Sequence, residues 1–164
     1  MAEQAHKDDR DAVPAFVIRC DLSTLRKSDT GSITASICVE LDGYLFPNKA
    51  WSDFGVVILA WWLRSLNRLA RGDRLAELRF MDGPFLLQLT AVDRNKCSIE
   101  CMQESLTTTV LGTGEGRILD LLAETERVAA EVLEASVEKR WHTPDLELLR
   151  EEIDKSVASQ RRVM

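Results

Sequence analysis

After Pro14 the chain alternates, with Phe16, Ile18, Cys20 and Leu22 falling on one side. A period of two is the mark of a strand whose faces meet different surroundings. Ser23 to Ser32, rich in Ser, Thr, Lys and Asp around one glycine, reads as a turn. The next run is cleaner. Ile33, Ala35, Ile37, Val39 and Leu41 alternate with Thr34, Ser36, Cys38, Glu40 and Asp42, which predicts an antiparallel strand covered on one face. Asp42-Gly43 predicts a tight turn into a short strand at Tyr44 to Phe46.

At Trp51 the period changes, and the stretch to Gly72 predicts one helix. Ser52 or Asp53 is the expected N-cap and Gly72 the left-handed stop, with Arg68 and Arg71 favoured near the C-terminal dipole. Phe54 to Leu63 is apolar on every side, so this half is expected to be covered on more than one side. Beyond it, Leu66 and Leu69 continue the stripe of Ile58 and Trp62, while Arg64, Asn67, Arg68 and Arg71 face elsewhere. Trp51, Trp61 and Trp62 read as core, given their Val, Ile and Leu neighbours.

The remainder alternates again, then turns helical. Leu75–Phe80, Phe85–Val92, Cys97–Glu104 and Leu106–Leu111 predict short strands, with turns at Asp82-Gly83-Pro84 and Asp93 to Lys96. Gly112-Thr113-Gly114 reads as a strand-to-helix break. From Glu115 to about Arg140, Ile118, Leu121, Leu122, Thr125, Val128, Ala129, Val132 and Ser136 share one helical face. Thr143 suits an N-cap and Pro144 a first helical position; Leu146, Leu149, Ile153 and Val157 then make a stripe. The closing SQRRVM is expected to fray. The fold expected is α+β within a single domain, 1–164: a leader at 1–13, a sheet with its central helix at 14–112, and C-terminal helices at 113–158. The sheet is expected to hold about six antiparallel strands, covered on one face by the Trp-rich helix at 52–71. Two amphipathic C-terminal helices would pack on that layer or on an edge.

Charge narrows the partners. A net charge of −6 argues against non-specific nucleic-acid binding, which needs a basic footprint. The acidity is greatest at the C-terminal end, where residues 113–164 carry 12 acidic and 8 basic side chains. MAEQAHKDDRDA has no apolar core for a signal peptide, and Phe54–Leu63 is half a membrane span. The expectation is a cytoplasmic protein without a membrane role, whose Cys20, Cys38, Cys97 and Cys101 are reduced.

Motifs for chemistry are sparse. Cys97 and Cys101 would share a face on a helix, but on a strand they stand about 13 Å apart, too far for one metal. Only His6 and His142 could join them, so structural thiols are the reading. Gly112-Thr113-Gly114-Glu115-Gly116 superficially suits a phosphate loop, yet it lacks the dinucleotide and P-loop patterns, and Glu115 would repel phosphate. No nucleophile–base set has motif support. No catalytic residue, cofactor or metal ligand is therefore assigned.

Phe46-Pro47-Asn48-x-x-Trp51-x-Asp53-Phe54, then a Trp-bearing helix, then Phe80-Met81-Asp82-Gly83-Pro84-Phe85, resembles small immunity proteins of bacterial polymorphic-toxin and contact-dependent growth-inhibition systems. The resemblance covers about residues 33–104. It implies inhibition by binding: a cognate toxin C-terminal domain, commonly a nuclease, is plugged at its active site or gripped beside it. Trp51, Asp53, Asp82 and Gly83 match the pattern as fold-holding positions. Under that reading, carboxylates on a wet sheet face or a hairpin turn are the natural contacts, and Glu40, Asp42, Glu100 and Glu104 are the residues chosen. The alternatives are a ligand-binding or scaffold domain whose Trp-rich helix lines a pocket, and a small enzyme using carboxylates with Thr or Ser.

Overall fold

The computed structural model describes residues 15–163, with side chains through residue 158. The expected leader at 1–13 lies outside the described residues. The elements run β1 (Phe16–Lys27), β2 (Ile33–Leu41), β3 (Tyr44–Phe46), β4 (Ser52–Asp53), α1 (Gly55–Ala70), β5 (Leu75–Arg79), β6 (Phe85–Ala91), β7 (Lys96–Glu104), β8 (Thr108–Arg117), α2 (Ile118–Glu138) and α3 (Pro144–Val163). The fold is mixed α and β, with antiparallel sheets and three helices among the described residues.

The strands form two sheets of four, where about six in one sheet were expected. In the first, β1 and β3 flank β2, and β4 also pairs with β2; the second is a meander, β5-β6-β7-β8. Alternation tells which side of a strand is wet, but not which strand it pairs with. The helix α1 separates the two sets in sequence and packs on both, against β2 and β5, with α2 and α3 on its other sides. The helix therefore sits at the centre of the core instead of covering one face of one sheet. Trp62, Ile58, Leu59, Leu63 and Leu66 are wholly buried in it.

Several boundaries move for stated physical reasons. The polar stretch after Leu22 continues β1, with an irregular register between Asp21 and Arg26. Asp21 Oδ1 accepts from Ser23 Oγ and N, and Thr24 Oγ1 accepts from Ser36 N, so side chains replace the missing ladder bonds. The turn is confined to Ser28–Ser32, with Gly31 at φ 93°. Neither Ser52 nor Asp53 caps α1: both lie in β4, and the N-cap residue Phe54 has no side-chain cap. At the other end the helix stops as expected. Gly72 adopts φ 119°, with Gly72 N donating to Leu69 O and Asp73 N to Arg68 O.

The largest difference is the glycine run. Gly112 to Gly116 lie inside β8, and α2 begins at Ile118 rather than Glu115. Register places Gly112, Gly114 and Gly116 opposite Cys101, Ile99 and Cys97, on the inward face. A Cβ at Gly112 would meet the Tyr44 ring at 2.9 Å, at Gly114 the Leu41 side chain at 2.9 Å, and at Gly116 Leu121 Cδ1 at 2.6 Å. These glycines let β2, β3 and α2 close onto the second sheet, a packing use of Gly rather than a break.

The helical faces were mostly legible. All eight α2 positions expected to share a face are buried. Thr143 caps α3, accepting from Leu146 N at 3.2 Å. The α3 stripe, however, rotates: Leu146, Leu149, Glu152 and Ser156 are buried, Ile153 is half-buried and Val157 is exposed. Glu152 is held inside by Arg64 of α1 at 3.0 Å, and Ser156 by the Glu126 carboxylate of α2. Asn67, expected to face away from the core, is buried with its Nδ2 donating to Leu63 O. The tail expected to fray is helical through Val163.

The residues that carry the family resemblance meet in one place. The buried Asp53 carboxylate accepts from Trp51 Nε1 at 2.9 Å, Phe54 N at 2.7 Å and Asp82 N at 3.1 Å. Gly83, at φ 99°, lies under the Trp51 ring, where a Cβ would come within 2.9 Å. Phe80 and Phe85 pack edge-on against Trp51, and Phe46 packs edge-on against both phenylalanines. This latch ties the entry of α1 to the β5–β6 hairpin.

Candidate interaction face

The register of the second sheet builds one wet face. Leu75, Thr90, Ser98 and Glu115 form one row, and Glu77, Gln88, Glu100 and Thr113 the next. Arg79, Leu86, Met102 and Val110 form a third, followed by Glu104 beside Thr108. The alternate residues Ala76, Leu78, Leu87, Leu89, Cys97, Ile99 and Cys101 are buried against the core, so these rows point outward. Leu86 is the exception within the face, buried between Arg79 and Met102 in the register.

Four carboxylates and three cations share this face, because the row beyond Ser98 and Glu115 pairs the exposed Lys96 with the exposed Arg117. Arg79 bridges two of the carboxylates, with Nε 2.9 Å from Glu77 and Nη1 3.1 Å from Glu104. Those partners, Glu104 first, hold the Arg79 pKa above its ordinary value. Glu100 and Glu115 have no paired cation among the described residues.

The four carboxylates chosen from sequence fall on two sheets. Glu100 and Glu104 lie together here. Glu40 sits on the outer side of the first sheet, opposite Val17 and Leu45, and its carboxylate accepts from Arg19 Nε at 2.6 Å. Asp42 is in the β2–β3 turn, at φ 48°. The structure does not join these two to the other pair in one sheet. Glu77 and Glu115 were missed, although the alternation Leu75-Ala76-Glu77-Leu78-Arg79 could have found the first. Glu115 was lost with the wrong start of α2.

Trp61 departs from the core expectation: it is 38% exposed, and it lines a groove of about 460 Å³. The other walls are Ser65, Arg68, Asp73, Leu75, Ala76, Glu77 and Arg79. The volume is in the range of small-ligand sites, about 300 Å³ or more, but four of the eight lining residues are charged. Trp62 takes no part, because it is buried with its indole N–H donating to Arg79 O at 2.8 Å.

The thiols are inert in character. Cys97 and Cys101 point inward from β7, and burial pushes each pKa up to about 11. Cys20 is pushed up to about 12, by burial first and then by Asp21 and Glu131. Burial also raises Cys38, despite Arg19 nearby. Such thiols stay protonated and make poor nucleophiles at neutral pH. Among the described residues, no group of three or more His, Cys, Asp or Glu is placed to hold a metal ion. No described helix is long and apolar enough to cross a membrane. Comparisons with protein families, with curated proteins and with solved structures found no match.

Proposed function

We propose that this protein is a non-enzymatic immunity protein. It binds a cognate toxin domain and blocks its active site or an adjacent surface. The observation that carries the reading is the outer face of the second sheet, where Glu77, Glu100, Glu104 and Glu115 share one plane, with Arg79 bridging two of them and Lys96 and Arg117 at one end. A nuclease must present cationic side chains to phosphates, and a rigid sheet of carboxylates complements such a surface. The net charge of −6 adds long-range attraction to a basic partner. The clustering of Trp51, Asp53, Asp82 and Gly83 supports their expected fold-holding part and leaves the sheet face free for contact.

The test is expression of the toxin-type C-terminal domain encoded immediately upstream, with and without this protein, followed by counting survivors. Growth arrest relieved by co-expression is expected. Toxicity without rescue, or no toxicity, removes the proposal.

The Trp61 groove supports a second reading, a small-ligand-binding domain. Its charged walls suit a polar ligand with an aromatic or apolar part over the indole. A ligand screen read by Trp fluorescence tests it; no quenching or shift by any compound that stabilises the protein would end it.

A further inference from the structure

Cations collect where α1 stops, β6 turns into β7 and α2 begins. A cavity of about 920 Å³ lies there, within the range of small-molecule sites, about 300–1,000 Å³. Arg71, Arg74 and Arg94 line it, each from a different segment: the end of α1, the entry to β5 and the β6–β7 turn. Lys96 and Arg117 stand beside it as cross-strand partners. Val92 of the cavity wall donates its N–H to Lys96 O at 2.9 Å, and Ile118 of the wall donates to Asn95 O at 2.8 Å. Like charges set directly opposite in a sheet repel and destabilise it. Among the described residues no carboxylate pairs with Arg74, Arg94, Lys96 or Arg117, so the fold itself does not offset that repulsion. A chain of net charge −6 thus holds uncompensated cations around one cavity, where a bound anion would relieve them.

The rest of the lining says what should carry the anion. Val92 and Leu119 present apolar surface at 65% and 47% exposure, in front of the buried Leu69 and Ile118. Two carboxylates enter the wall. Asp93 is committed to its own turn, accepting from Asn95 N at 2.7 Å and Lys96 N at 2.8 Å, bonds that hold its pKa below the ordinary value. The Asp73 carboxylate accepts no bond among the described residues and is available to a hydroxyl. We infer that this cavity binds a nucleoside monophosphate, with arginines on the phosphate, Asp73 on a sugar hydroxyl, and the base over Val92 and Leu119. The planar fork of arginine meets phosphate oxygens two at a time, and lining arginines on separate segments suit a compact dianion. An acidic peptide would spread its charge along the wall and meet Asp73 and Asp93 with like charge. Free phosphate would leave Val92 and Leu119 uncovered. The site does not depend on the toxin reading.

Titration calorimetry of the full chain with AMP, GMP, CMP and UMP tests this, beside adenosine, inorganic phosphate and an acidic decapeptide. At least one nucleotide is expected to bind about 10-fold or more tighter than adenosine and than phosphate, with affinity falling as salt rises. Arg74→Ala with Arg94→Ala is expected to weaken that binding by about 10-fold or more, and Arg26→Ala, on the first sheet, to leave it unchanged. Thermal melts check that each variant is folded. In the wild type, bound nucleotide is expected to slow phenylglyoxal labelling of Arg74 and Arg94 but not of Arg26, an answer that needs no variant. Absence of nucleotide binding at millimolar concentration overturns the proposal. So does phosphate that binds as tightly as any nucleotide, binding of the decapeptide alone, affinity that survives the double substitution, or affinity lost with Arg26→Ala.

Discussion

Replacing Asp53 by alanine should be among the most damaging single changes outside the apolar core. The carboxylate is 1% exposed and receives three N–H donors, from Trp51, Phe54 and Asp82. Alanine leaves those part-buried donors without their acceptor, at about 1–3 kcal/mol for each good bond to a charged group. The Asp82 bond is the weakest, at 3.1 and 3.3 Å to the two oxygens, so a total of about 3–5 kcal/mol is expected. Against a stability of about 5–15 kcal/mol this is a large fraction. For a chain of this length it corresponds to a fall in Tm of about 6–20 °C. Asp53→Asn keeps one oxygen but turns an NH₂ towards a donor, so about 2 kcal/mol is expected. Urea denaturation followed by Trp fluorescence measures both. A double-mutant cycle with Trp51→Phe isolates the indole bond, with a coupling of about 1–2 kcal/mol expected. Asp53→Ala within about 0.5 kcal/mol of wild type, or zero coupling, would refute the latch.

Three further outcomes are expected. Gly116→Ala should destabilise by about 1–3 kcal/mol, because its Cβ would stand 2.6 Å from Leu121 Cδ1, whereas the same change at Gly43, with nothing within 4 Å, costs only the strain of its positive φ; thermal melts separate them. Thiol labelling of Cys97 and Cys101 at pH 8 should be slow until the protein unfolds. Because burial raises their folded pKa values to about 11, above the ordinary thiol value of 9.0, this contribution to stability is full below pH 9 and is lost as pH rises towards 11. Glu100→Lys with Glu104→Lys should weaken toxin binding in titration calorimetry with little change in Tm, and unchanged affinity would remove this face from the proposal; the same reversal at Glu40 and Asp42 tests the first sheet separately.

The sequence by itself determined what is local. The buried face of α2 was readable to the residue, since a 3.6-residue period fixes which side chains share a side. The caps at Thr143 and Gly72 follow from backbone chemistry within one turn, and the alternation of β2 from the two-residue period, broken at Cys38, which was expected on the wet face and is buried. Only the tertiary structure decided what those faces meet. Pairing partners are not encoded in alternation, so two sheets replaced one. Gly112, Gly114 and Gly116 read as punctuation because a missing side chain looks the same at a turn as under a crowded neighbour; Tyr44, Leu41 and Leu121 decide which. Glu152, outside the stripe expected for α3, is buried because Arg64, 88 residues away, pairs with it. The candidate face divides in the same way. Its carboxylates were visible one strand at a time, but that Glu77, Glu100, Glu104 and Glu115 share one plane is a fact of register across β5 to β8, set by hydrogen bonds between strands that are separate in the chain.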